Sequence, residues 1–253
     1  MLTKRSMKIL QQLLRDGEVT VERLAKRFKM SSATIRRELT NLERVGLLRR
    51  THGGAIQVEP MLYEPFRYLD HFRDQEMFQA AEKRRIGLVA AEMIKDGEVV
   101  ALGAGTTTTQ VGRNIRHRKG ITVVTNAINI AMELSHRPDL KIIVIGGVLE
   151  SASFALSGPS GISAVGDMFY DKVFIGVDGI DPEYGLTTNH AEQAAVHRAM
   201  LRQSHRKIIV ADHTKVGKIC NSVITSIPNV DLIISDKKAC LDLSAFSVTL
   251  VRA

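Results

Sequence analysis

Two sets of residues in this chain have the types and spacing to bind anions. The first begins with Gly103-Ala104-Gly105-Thr106-Thr107-Thr108-Thr109, where glycines run directly into threonines. Glycines let the backbone approach a ligand, the first turn of a following helix offers N–H groups, and threonine hydroxyls add donors. Together they make an anion site the size of a phosphate. Small, polar and acidic residues recur farther along, at Thr125-Asn126, Gly146-Gly147, Asp178-Gly179, Gly185-Leu186-Thr187 and Asp212-His213-Thr214-Lys215. The candidate ligand contacts are therefore Gly103, Gly105, Thr106, Thr107, Thr108, Thr125, Asn126, Gly146, Gly147, Asp178, Thr187 and Lys215, a set that suits a phosphorylated polyol. Any one of them alone reads as a tight turn, a helix cap or a surface lysine. Their agreement carries the reading.

The second set is cationic. Residues 1–60 hold 13 Lys/Arg against 6 Asp/Glu and the rest of the chain 22 against 21, so nearly all of the net +8 sits in the first quarter. A basic module on an electrically balanced one is what a polyanion-binding head on a separate body looks like. At about 100° per residue, Ile35, Leu39 and Leu42 fall on one side of a helix. Ala33, Arg37, Thr40 and Arg44 fall opposite, with Arg36 on the flank. A small and cationic outer face suits base edges in a major groove. Arg49, Arg50 and His52 follow around Gly53-Gly54, where two short extended pieces would form a wing that reaches phosphates or the minor groove.

Periodicity supplies the elements that hold these groups. Met7, Leu10, Leu13 and Leu14 stripe a helix over 4–15 that Asp16-Gly17 ends. Thr20 caps a second helix with Val21, Leu24, Ala25 and Phe28 inward, and Ser31 or Ser32 caps a third that runs to Arg44 and stops at Val45-Gly46. Short helices on tight turns in a basic segment predict a helix-turn-helix. Residues 58–80, with Pro60 and Pro65, read as a linker with one amphipathic turn that packs on the body. Beyond it, helical stretches near 83–95, 107–117, 127–135, 158–168 and 191–204 alternate with strands at Val99–Leu102, Ile121–Thr125, Lys141–Ile145, Lys172–Val177, Lys207–Ala211 and Asp231–Ser235. That alternation predicts a parallel sheet covered on both faces, with ligands at the carboxyl ends of its strands. The expected division is 1–57 winged helix-turn-helix, 58–80 linker and 81–253 α/β domain.

Other chemistries drop out. No apolar run approaches a membrane span, and the basic start leads into no uninterrupted apolar stretch, so the chain reads as cytoplasmic. Cys220 and Cys240 form neither a disulfide framework nor a Cys-x-x-Cys pair. There is no Walker A, no third glycine for a dinucleotide fingerprint and no Gly-x-Ser-x-Gly elbow. His190, His197, His205 and His213 read as solvated or hydrogen-bonded rather than as metal ligands. No catalytic residue, metal or cofactor is expected.

The run Ser32-Ala33-Thr34-Ile35-Arg36-Arg37-Glu38-Leu39, continued by Leu42-Glu43-Arg44-Val45-Gly46-Leu47-Leu48-Arg49-Arg50-Thr51-His52-Gly53-Gly54-Ala55, resembles the winged helix-turn-helix of DeoR-type bacterial regulators of sugar metabolism. Gly105-Thr106-Thr107-Thr108, Ser157-Gly158-Pro159, Phe174-Ile175-Gly176-Val177-Asp178-Gly179-Ile180 and Asp212-His213-Thr214-Lys215 resemble that family's sensor domain. The resemblance implies a body similar in fold to ribose-phosphate isomerases and glucosamine-phosphate deaminases. It also implies DNA contacts at Ser31, Ser32, Ala33, Thr34, Arg36, Arg37, Thr40, Arg44, Arg49, Arg50 and His52. The expected partners are double-stranded operator DNA and a phosphorylated sugar, amino-sugar and ketose phosphates among the kinds. The expected function is repression of a carbohydrate operon, lifted by that sugar, without enzymatic activity. The chain departs from the family pattern at three positions: Gly103 stands where Asp is usual, Gln193 where Glu is usual (with Glu192, a further candidate contact, beside it) and His197 where Lys is frequent. The alternative is a phosphosugar isomerase or deaminase-like enzyme with a nucleic-acid-binding head. Such an enzyme needs a base on the sugar carbon, and the missing carboxylates at 103 and 193 argue against it. One small winged helix touches too little DNA for operator affinity, so a homodimer or homotetramer held by the body is expected.

Overall fold

A computed structural model of the chain describes residues 4–44, 48–57, 70–115 and 118–253. The chain divides into two compact units, 1–68 and 69–253.

In the first unit, helices α1 (Lys4–Asp16), α2 (Val21–Phe28) and α3 (Ser32–Arg44) alternate with strands β1 (Glu18–Thr20), β2 (Leu48–Thr51) and β3 (Gly54–Gln57). The expected helices form where periodicity puts them, because each has one apolar stripe to bury. Leu24, Ile35, Leu39 and Leu42 are at most 2% exposed and close on Ile9, Leu13 and Leu48. Ile9, rather than an outer neighbour, leads the α1 stripe; the side chains of Met7 and Leu14 lie outside the described residues. Thr20 Oγ1 accepts from Arg23 N at 3.3 Å, and Ser31 Oγ accepts from Thr34 N at 3.2 Å, so Ser31 is the α3 cap. The expected stop at Val45-Gly46 lies outside the described residues.

The wing has three strands, ordered β1-β3-β2 and antiparallel, where two were expected. Its tight turn is His52-Gly53, since Thr51 pairs with Gly54. Gly54 is already in the strand. A Cβ there would lie 1.9 Å from Val19 O, so only glycine lets β1 join.

The second unit is built on seven parallel strands in the order β15-β14-β12-β9-β4-β5-β6. In chain order these are β4 (Val99–Leu102), β5 (Thr122–Thr125), β6 (Lys141–Val144), β9 (Tyr170–Gly176), β12 (Ser204–Val210), β14 (Leu232–Ser235) and β15 (Thr249–Arg252). Six match the sequence expectation closely; β15 was not foreseen. Alternate residues feed two apolar layers: Ala101, Ile175 and Ile209 on one face, Leu102, Phe174 and Val210 on the other. Helices α5 (Ala80–Glu92), α6 (Thr106–Asn114) and α7 (Ile128–Leu134) contribute Ile86, Val111 and Ile130 to the second layer, while α8 (Pro159–Gly166) and α9 (Ala191–Arg202) contribute Val165 and Met200 to the first. A hairpin, β7 (Val148–Glu150) with β8 (Ala155–Ser157), and a small antiparallel sheet of β10 (Gly179–Asp181), β11 (Gly185–Thr188) and β13 (Ser222–Thr225) complete the unit.

Of the segment read as a linker, 58–69 lie outside the described residues, while 70–77 form a helix, α4 (Asp70–Met77), within the second unit. Phe72 meets Phe154 edge-on with centroids 4.8 Å apart. Arg113 Nη1 reaches Glu76 at 2.5 Å while its Nε and Nη2 hold Glu133 in a fork.

Candidate functional site

Strand order decides where a ligand fits. From β4 the chain proceeds to β5 and β6 on one side, then returns to place β9, β12, β14 and β15 on the other. The switch point therefore lies between β4 and β9, and crevices open at the carboxyl ends of such strands. A cleft of about 370 Å³ is found there. Ala104, Gly105, Thr106 and Thr107 line it after β4, Val177 and Asp178 after β9, Lys215 after β12, and Phe72 and Gln75 from α4.

Gly105 starts α6 at φ +152°, a region few side chains tolerate. The first-turn N–H groups of α6 have no acceptors inside the helix, and the helix dipole adds positive potential there. The hydroxyls of Thr108 and Thr109 donate back to Gly105 O, both at 2.8 Å, which fixes the turn. Of the threonines proposed as a cradle, only Thr106 and Thr107 therefore face the cleft. Thr108 holds the backbone.

The other expected contacts divide in the same way. Thr125 Oγ1 donates to Leu102 O at 2.7 Å and accepts from Ala127 N, while Asn126 Oδ1 accepts from Ala104 N at 2.8 Å and its amide donates to Leu156 O. Both are fully buried, and both shape the β4–α6 turn from behind. Thr187 Oγ1 accepts from Cys220 N, and Glu192 accepts from Ser157 Oγ at 3.0 Å. Gly147 packs on the Ser157 backbone, Gly146 follows β6 two strands from the switch point, and Gly103 lies beneath the cleft against His197. None of these lines the cleft.

Asp178 does. Burial would raise its carboxyl, but a hydrogen bond from Thr188 Oγ1 at 2.8 Å, the Lys215 ammonium at 3.6 Å and the Asn189 N–H hold it below the ordinary carboxylate range. The cleft also contains residues that sequence reasoning passed over. Lys83 on α5 is 2% exposed and lines the cleft, its ammonium donating to Gln75 O. Burial pushes its pKa down to about 8, Asp212 pulling up and Lys215 down. The available signal was a lysine on the stripe Lys83, Ile86, Gly87, Ala90, at helical spacing among residues that bury. Gln193 donates to Ala104 O at 3.1 Å, and His197 lies one helical turn further along α9. The three departures from the family pattern, Gly103, Gln193 and His197, thus meet in one corner. Among the described residues no group of three or more His, Cys, Asp or Glu could hold a metal ion, and no helix is long and apolar enough to cross a membrane.

In the first unit Ser31, Ala33, Arg36, Arg37, Arg49, Arg50 and His52 are exposed, while Ser32, Thr34 and Thr40 are half-buried. Arg44 closes α3, with its side chain outside the described residues. Arg50 binds the wing to the helix: its N–H donates to Glu43 Oε1 at 2.8 Å and its Nη1 to Thr40 Oγ1 at 2.7 Å. Thr40 in turn donates to Arg36 O. Arg50 thus ties β2 to the outer side of α3.

Comparison with known proteins agrees with both halves. Residues 5–60 match the DeoR-like helix-turn-helix domain and 78–237 the DeoR C terminal sensor domain. The transcriptional repressor AccR of Agrobacterium fabrum is 35% identical over 89% of this chain and 86% of its own. The HTH-type transcriptional repressor GlcR of Bacillus subtilis is 33% identical over 92% and 88%, and the glycerol-3-phosphate regulon repressor of Escherichia coli 30% over 92% and 90%. Among solved structures, ribose 5-phosphate isomerase from Plasmodium falciparum aligns over 53% of this chain and 52% of that one, at 15% identity and a TM-score of 0.39. With a DNA-binding head, a sensor body and relatives that are regulators over nearly their whole length, this chain belongs to the DeoR family of transcriptional regulators, and it is not an enzyme.

Proposed function

We propose that the protein represses a carbohydrate operon and that a phosphorylated sugar in the body cleft releases it from operator DNA. The observation that carries this reading is the convergence of the α6 N-terminus, the buried Lys83 and Lys215 on one cleft at the switch point. A dianion placed on Gly105–Thr107 would accept from first-turn N–H groups and pair with the Lys83 ammonium. Asp178 and Thr188 are within the same cleft for sugar hydroxyls. The expected contacts thus narrow to Gly105, Thr106, Thr107, Asp178 and Lys215, with Lys83 and Thr188 added. Arg36 and Arg37 would read bases, and Arg49, Arg50 and His52 would hold phosphates and register. The working form is at least a homodimer joined through the body. Release requires the sugar to bind the DNA-free state more tightly than the DNA-bound one. Thermal shift of the full chain across matched phosphorylated and unphosphorylated sugars tests the proposal: at 100 times its Kd a ligand adds about 2.7 kcal/mol of stability. Stabilisation by at least one phosphorylated sugar and none by its unphosphorylated partner is expected. The reverse pattern refutes the reading.

A further inference from the structure

We propose that the His197 imidazole selects the effector by hydrogen bonding to hydroxyl groups on the carbon chain that the phosphate carries. The inference rests on the reading of the cleft as the effector site and says what that site prefers. His197 is 1% exposed, lines the cleft, and has no partner among the described residues on either Nδ1 or Nε2. Buried polar groups are satisfied in the great majority of cases, so an unpartnered ring in a cleft marks a place where a ligand completes the bonding. Its polar neighbours are already engaged: Asp178 with Thr188 and Lys215, Gln193 with Ala104 O, His190 with Glu150 at 2.9 Å.

The ring fits because residue 103 is glycine. A Cβ there would lie 2.8 Å from His197 Nε2 and 2.8 Å from Ile175 Cδ1. Burial lowers the pKa of the ring to about 4, with Asp178 pulling it up and His190 down. A neutral imidazole offers one N–H and one lone pair, and hydroxyls are the ligand groups that both give and accept a hydrogen bond. The cleft, at about 370 Å³, has the volume of a small-molecule site rather than of a bare anion.

The test is calorimetric titration of the full chain with inorganic phosphate, glycerol 3-phosphate, ribose 5-phosphate, fructose 6-phosphate and glucose 6-phosphate. It is run on the wild type, His197→Leu and His197→Gln. The wild type should prefer at least one sugar phosphate to inorganic phosphate. His197→Leu should lower that preference roughly 10–100-fold, and His197→Gln, whose amide keeps a donor and an acceptor, should keep most of it. The leucine variant should melt no lower than the wild type without ligand, because it removes an unpartnered buried polar group. A full preference in His197→Leu, or an equal loss in both variants, overturns the inference and leaves the cleft reading in place. A wild type that binds none of the probes overturns the cleft reading and the inference with it.

Discussion

The head and the body present their working residues in opposite ways. In the head, Ala33, Arg36 and Arg37 lie within five consecutive residues of one helix and point outward. In the body, Lys83, Thr107, Asp178 and Lys215 come from four separate places in the chain and point inward to one cleft. A convex site can be assembled by one element, whose period alone says which side chains are exposed. A concave site exists only once the sheet has closed, so its members share no local pattern. The head therefore tolerates loss of one contact as a graded weakening. The body gathers its charge in a cleft where Lys83 is 2% exposed, so one group matters more.

The largest effect should come from the body. Lys83→Met is expected to weaken sugar-phosphate binding by about 1.5–3 kcal/mol, the range for a hydrogen bond to a charged group, as read by calorimetry. The same lysine sets a pH dependence. Its folded pKa of about 8 lies below the ordinary 10.5, so the unfolded chain binds more protons between those values. Its contribution to fold stability therefore rises with pH across that window. Phosphate binding needs the charged form, so effector affinity should fall as pH rises through about 8, with proton uptake on binding near that pH. In Lys83→Met both trends should be gone; an unchanged profile would move the phosphate away from α5.

Next in size are the head variants. Arg37→Ala should cost roughly 1–3 kcal/mol and relax specificity at one base pair in a binding-site selection. Arg50→Ala should weaken all sequences about equally, since it loses a phosphate contact and the side-chain bond to Thr40, while the residue 50 N–H keeps Glu43. Exchange of these two patterns would show that helix and wing have swapped roles. Smallest is Thr125→Val, which should lower stability by about 1–2 kcal/mol, a melting shift of about 2–8 °C, while leaving the order of effector preference intact. A change in that order would return Thr125 to the list of ligand contacts.

That last variant marks the limit of what the sequence made legible. Val99–Leu102 and the α3 core of Ile35, Leu39 and Leu42 were readable because strand and helix periods are local. So was the Gly105–Thr107 turn, whose glycine is forced by a positive φ. Thr125 and Asn126 carry the same chemistry at the end of the next strand, yet they bond to backbone. Only the position of the switch point separates the two cases, and strand order is not a local property. Lys83 was missed for a related reason: a lysine on a helix is ordinarily solvated, and its burial depends on α4, within a segment whose two prolines and mixed charge read as a linker. β15 follows no crossover helix, and its half-exposed residues Thr249–Arg252 give no buried-strand signature.

The central claim joins the two regions: an anion on the α6 turn controls the grip of the head on DNA. Its most direct test is fluorescence anisotropy of operator DNA bound to the full chain, titrated with phosphorylated sugars, for the wild type and Thr107→Asp. Thr107 is 7% exposed and faces the cleft, so the substitution puts a carboxylate where the phosphate should lie. The account expects both proteins to bind operator, at least one sugar phosphate to release the wild type, and none to release the variant. Release of Thr107→Asp at the wild-type concentration of the same sugar phosphate would contradict it.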